Sequence, residues 1–140
     1  RFEILNETYV KKLQIEARVM GDMCLNHVIP AAVRYQNILI ENIRGVKEIF
    51  GEEFKSLCEA EIETLREISM YINNVSKDVE GLVEARKRAN RIDDIAQRAK
   101  DYSHEVKDMM DKVRDSVDHL EMLIDDEMWP LPKYRELLFF

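Results

Sequence analysis

Apolar residues recur every three or four positions along most of this chain, and the longest such run lies between Glu53 and Met128. Its first half carries Cys58, Ile62, Leu65, Ile68, Ile72, Val75, Val79, Leu82, Ala85 and Ala89. Its second half carries Ile95, Ala99, Tyr102, Val106, Met109, Val113, Val117, Leu120 and Ile124. Residues three and four apart share one side of a helix, so each half predicts a long helix with one apolar stripe. Between the halves, Arg86, Lys87, Arg88 and Arg91 gather at the end of one helix while Asp93 and Asp94 open the next, and both clusters oppose the helix dipoles. The pattern predicts a helical hairpin with arms roughly 50 Å long.

Upstream, Leu5, Tyr9, Leu13, Met20, Cys24 and Val28 keep the same spacing from Phe2 onward. Pro30 removes an amide donor and crowds the carbonyl of Asn26, so the helix must bend or stop there. A kink is expected, because the pattern resumes at once through Ala32, Tyr35, Leu39, Ile43, Val46 and Phe50 with no polar turn between. Gly51 then supplies a helix-ending position, and Glu52 and Glu53 an acidic start for the next helix. The expected fold is all-α: an antiparallel bundle of three long helices, about 2–50 with a kink near 30, 53–90 and 93–127, with a short helical tail over 128–140. Asn73-Asn74 is the place where the second helix could break, and Gly81 predicts a close helix approach. Glu84 with Arg88, Asp94 with Arg98, and Asp108 with Lys112 are spaced as surface ion pairs.

The end of the third helix breaks the rules. Asp125, Asp126 and Glu127 place three carboxylates at the carbonyl-rich terminus, and Met128-Trp129-Pro130-Leu131-Pro132 cannot continue a helix. Either Trp129 and the apolar residues of Lys133–Phe140 fold back on the helices, with Lys133 or Arg135 neutralising the acids, or the tail docks another domain or subunit. The contact residues expected in this tail are Trp129, Leu131, Tyr134 and Leu137.

Composition narrows the function classes. A share of 46% hydrophobic and 35% charged residues suits helices with solvated outer faces, and four glycines and three prolines leave few places to turn. A net charge of -7 argues against a nucleic-acid backbone as ligand. No apolar run reaches the roughly 18 residues of a membrane span, so the protein is expected to be soluble and to have no membrane partner. Cys24 and Cys58 occupy apolar positions and read as buried thiols of a reducing, cytoplasmic compartment. The chain starts at Arg1 inside a predicted helix, which is expected of a piece of a longer polypeptide.

No catalytic constellation emerges. The four glycines are scattered, so no phosphate loop forms, and no Ser or Cys sits in a nucleophile motif. A di-metal carboxylate bundle would need a Glu-x-x-His pair on each of two helices. Asp101 to His104 has that spacing with the wrong acid, Cys24 to His27 offers a second pair, and His119 lies about four turns beyond His104. No catalytic, cofactor-binding or metal residue is therefore expected, and a stand-alone coiled-coil adaptor is the reading that the pattern alone supports.

Three segments carry a resemblance. The first runs Lys11-Lys12-Leu13-Gln14-Ile15-Glu16-Ala17-Arg18 through Gly21-Asp22, Asn26-His27-Val28-Ile29-Pro30, Tyr35-Gln36-Asn37, Glu41-Asn42 and Phe50-Gly51. The others are Glu84-Ala85-Arg86-Lys87-Arg88-Ala89-Asn90 and Trp129-Pro130-Leu131-Pro132-Lys133-Tyr134-Arg135-Glu136-Leu137-Leu138-Phe139. Together they resemble the C-terminal region of bacterial type III glutamine synthetases, over essentially the whole chain. The resemblance implies a parent ligase of nitrogen metabolism that joins ammonia to glutamate using ATP and Mg2+ or Mn2+, in a dodecamer of stacked hexameric rings. It implies as partners the catalytic domain of the same polypeptide and neighbouring subunits. None of the family's metal, nucleotide or glutamate motifs falls on these residues, so the chain alone is expected to be inactive, a structural, assembly or regulatory element.

Overall fold

The computed structural model describes residues 2–132, and among them there is no strand. Three helical rods account for almost all of that chain. The first joins α1 (Phe2–Met23) to α2 (Ile29–Phe50) through a π-turn at Cys24–Val28. The second comprises α3 (Phe54–Leu57) and the 32-residue α4 (Glu59–Asn90). The third joins α5 (Ile95–Asp101) to α6 (Lys107–Leu123) through a second π-turn at Tyr102–Val106.

The helix does not stop at Pro30. The amide of Ile29 donates to the carbonyl of Cys24, one residue further back than in an α-helix, and α2 starts directly with Pro30 in its first turn. The wide turn lets the chain carry an imino acid that has no amide for the carbonyl of Asn26. At the other end of α2, Gly51 takes φ 61°, which favours glycine, and donates its amide to Lys47. A short 3₁₀ turn follows at Gly51–Glu53, and Lys47 Nζ lies 5.1 Å from the ring centre of Phe54 across it. Cys58 separates α3 from α4, so the second rod starts as two pieces. It then runs unbroken through Asn73-Asn74.

The turn between the second and third rods is fixed by side chains. Asp94 caps α5 by accepting from the amide of Gln97 at 2.9 Å, and Arg98 Nε donates to the carbonyl of Ile92 at 2.7 Å. Asp94 and Arg98 are thus used on the backbone and do not form the surface pair their spacing suggests. On the described surface Lys55 pairs with Glu52, Arg66 with Glu63 and Arg114 with Asp111, all three residues apart and exposed, and each contributes little.

The core draws on all three rods. Val10, Leu13, Ala17, Cys24 and Val28 come from the first, Ile68, Val75, Val79, Leu82, Ala85 and Ala89 from the second, and Ala99, Tyr102, Val106, Met110, Val113 and Leu120 from the third. The most extensive contact joins α4 to α6. Tyr71 stacks on His119 with ring centres 4.7 Å apart, and Tyr102 hydrogen-bonds Asn90. Midway between those contacts, the Met109 methyl occupies the space where a Gly81 Cβ would sit. Later positions on one rod therefore meet earlier positions on the other, and Gly81 is where a side chain is given up for a close approach.

Two parts of the apolar stripe differ from the pattern. Leu5 is exposed, and the first rod buries Val10 and Ala17 instead. In the third rod Met110 is buried in addition to the expected Val106, Val113, Leu120 and Ile124, while Met109 packs half-buried against the core. Past Tyr35, α2 is tied to the second rod's early residues: Asn42 donates to Glu61 at 2.8 Å and Gln36 to Ser69 at 2.8 Å. Ile38, Ile49 and Phe50 there remain exposed.

The third rod ends at Leu123, four residues before the expected 127. Ile124 is extended, with ψ 144°. Asp125 then builds a turn: its side chain accepts from the amide of Glu127 at 3.0 Å, and its carbonyl accepts from Met128 at 3.0 Å and Trp129 at 3.1 Å. The carboxylates of this stretch therefore stand beyond the helix, where they no longer oppose its last carbonyls.

Candidate functional site

The Asp125 turn sends the chain back across the first and third rods and lays Trp129 into the core at 7% exposure. Leu131 is half-buried against the same cluster. These two of the four expected contact residues share one site. Tyr134 and Leu137 lie outside the described residues.

Around Trp129 the rods leave a groove of about 530 Å³. One wall is α1 and its π-turn, with Ile15, Val19, Met20, Met23, Cys24 and Val28. The opposite wall is α6, with Met110, Val113 and Val117, and the returning chain closes one side with Trp129, Leu131 and Pro132. Three methionines give the lining unbranched, adaptable side chains. Glu16, Arg114, Asp118 and Glu121 form the polar border, and Arg114 Nη1 lies 3.4 Å from Asp111 Oδ1. Within this apolar setting one donor stands out: the buried indole Nε1 of Trp129 has no hydrogen-bond partner among the described residues.

Cys24 sits in the groove wall, and burial pushes its thiol up to about 11 from an ordinary value of 9.0. Cys58, also buried, is raised by desolvation and then by the nearby Glu61 carboxylate. Both cysteines are free. At pH 8 the thiolate fraction of Cys24 is about 100-fold below that of an ordinary thiol, so at Cys24 Ellman's reagent should react at least ~100-fold more slowly in the native chain than in the urea-unfolded chain. The raised value also sets a direction with pH. The unfolded chain ionises first, so the stability linked to Cys24 is full below about pH 9 and is lost as pH rises toward 11. Equal thiol reactivity in the native and unfolded chains would contradict the burial of both.

The residues weighed as metal ligands are not brought together. His27 and His104 are exposed on separate π-turns, and His119 stacks on Tyr71 with its Nδ1 2.8 Å from the carbonyl of Asp115. Among the described residues no three His, Cys, Asp or Glu side chains are grouped to hold a metal ion. No helix of the described residues is long and apolar enough to cross a membrane.

A second polar cluster lies where the first rod meets the inter-rod turn. Asn90 Oδ1 accepts from Tyr102 Oη at 2.5 Å and from Gln14 Nε2 at 2.9 Å, joining all three rods through one side chain. Its role is architectural, because none of the three groups faces a cavity described above.

Residues 1–47 match the family model of the glutamine synthetase C-terminal domain. The chain is 47% identical over 140 residues to a glutamine synthetase of Bacteroides fragilis and 30% identical over 141 residues to a type-3 glutamine synthetase of Dictyostelium discoideum. A glutamine synthetase of Butyrivibrio fibrisolvens is 28% identical over 139 residues. Each match covers 99% of this chain and 19% of the relative, so the chain spans about a fifth of the length of the curated relatives it matches. Matches of this extent, on a family model and along the whole chain, place it among the glutamine synthetase C-terminal domains.

Proposed function

We propose that this chain is the non-catalytic helical domain of a type III glutamine synthetase, and that it stabilises the assembled parent enzyme by packing. In this reading the three rods form an antiparallel bundle, bent at the π-turn before Pro30, whose uncovered faces are contact surfaces. The parent is an ATP-dependent glutamate–ammonia ligase using Mg2+ or Mn2+ in its catalytic portion, a cytoplasmic dodecamer, and the partners of this domain are that catalytic portion and neighbouring subunits.

The observation that carries the reading is the distribution of apolar surface. Ile4 and Leu5 at one end of the first rod, and Ile49, Phe50 and Leu57 at the turn into the second, are all at least half exposed. Scattered single exposures need no explanation, but clusters at the ends of a helical domain are expected where another surface covers them. The type III assignment is supported by the match to a type-3 relative along the whole chain.

Deleting these 140 residues from the full-length polypeptide should lower the oligomer seen by mass photometry to smaller species and reduce the thermal midpoint. The isolated 140-residue chain should form no glutamine from glutamate, ammonia and ATP. An unchanged oligomer after deletion, or turnover by the isolated chain, would overturn the proposal.

A further inference from the structure

The groove beneath Trp129 has features that together specify an occupant. Its indole N–H is buried and has no acceptor among the described residues, and a donor left in that state costs about 1–3 kcal/mol. Its walls are apolar. Its border carries the carboxylates of Glu16 and Asp118, whereas the guanidinium of Arg114 is already beside Asp111. An occupant must therefore bring apolar bulk, a hydrogen-bond acceptor and positive charge. A fatty or aromatic acid brings the wrong charge, and a simple hydrophobic amine brings no acceptor. A polypeptide segment brings all three, in an apolar side chain, a backbone carbonyl and a Lys or Arg.

The surface beside the groove sets the size of the occupant. Ile4, Leu5, Ile15 and Val19 are all exposed. At 100° per residue they fall within an arc of about 100° on α1, and they extend along it for roughly 22 Å. A stripe of that length exceeds a small ligand and suits an extended or helical segment.

We propose that this groove and stripe are the docking site for an apolar, basic segment of the catalytic portion of the parent polypeptide, with a backbone carbonyl of that segment accepting the Trp129 indole N–H. The inference rests on the reading of the chain as a glutamine synthetase domain, and the chain spans only 19% of its relatives, so most of the polypeptide is available to supply the segment.

The test uses the full-length polypeptide with p-benzoylphenylalanine in place of Val19, on the groove wall, and in a control in place of Ile49, at the far end of α2. Irradiation and peptide mass spectrometry should place the Val19 cross-link in a segment outside these 140 residues, with a Lys or Arg within about one helical turn of the attached residue. Combining Glu16→Lys with Asp118→Lys should cut that cross-link at least fivefold and leave the Ile49 cross-links unchanged. Attachment only to residues 133–140, attachment to a second copy of this domain, or no cross-link from Val19 would each overturn the proposal. Glutamine formation by the same preparation separates the two readings. Activity without the expected cross-link rejects the docking site alone, and a full-length protein without activity rejects the synthetase reading on which it rests.

Discussion

Tyr102→Ala is expected to destabilise the 140-residue chain by about 3–5 kcal/mol, the range for truncating a large buried aromatic. Tyr102 is fully buried, at 0% exposure, inside the π-turn that joins α5 to α6. Its ring packs among all three rods, and its hydroxyl donates to Asn90, which also accepts from Gln14. Removing the ring opens a cavity where the rods converge and also removes one of the two ties on Asn90. Against a total stability of about 5–15 kcal/mol, that loss is a large share of what holds the domain folded. At roughly 4 °C per kcal/mol for a chain of this size, the thermal midpoint by circular dichroism should fall by about 12–20 °C. Tyr102→Phe keeps the ring and loses only the hydrogen bond, so about 1 kcal/mol is expected, because Asn90 is exposed to water and keeps Gln14. Equal losses for the two variants would mean that the hydroxyl, and not ring packing, holds the rods together.

Much of this architecture can be read from spacing, and the exceptions have identifiable physical causes. The stripe Val75, Val79, Leu82, Ala85 and Ala89 is buried as its period predicts, because α4 is an uninterrupted helix there. The stripe of the third rod likewise keeps Val106, Val113, Leu120 and Ile124 buried, with Met109 half-buried against the core and Met110 buried beside it, although a π-turn opens this rod. Pro30 marks the other irregular turn, but nothing comparable in the sequence marks Tyr102–Val106. Asp94 and Arg98 could be read as an ion pair from their spacing; a helix terminus with unpaired amides and carbonyls offers each a backbone partner instead.

The groove was only half legible. The Trp129-Pro130-Leu131-Pro132 run breaks the helical pattern, which flags it as irregular, and Trp129 and Leu131 fold back onto this chain's own core. Its walls could not be foreseen. They depend on Ile124 turning extended and on Asp125 folding the chain back, whereas three consecutive acids suggest only an unfavourable helix end. The unpartnered indole is a property of the packed state and leaves no trace in residue order.

That indole gives the second large expected effect, with a sign that depends on what surrounds the domain. In the isolated 140-residue chain, Trp129→Ala removes a large side chain buried in the core and should cost about 3–5 kcal/mol. Trp129→Phe keeps much of that packing while deleting a buried donor that has no acceptor among the described residues, so it should leave stability within about 1 kcal/mol of the parent sequence, or raise it. In the full-length polypeptide the same donor is expected to have an acceptor, and Trp129→Phe should there weaken the contact and reduce the Val19 cross-link. The two measurements are a urea midpoint for the isolated chain, read with its slope to confirm that the folded state is unchanged, and the cross-link yield for the full-length chain. A Trp129→Phe chain that is as unstable in isolation as Trp129→Ala would show that the indole N–H is already satisfied within the domain, and the groove would then have no unmet donor to offer a partner.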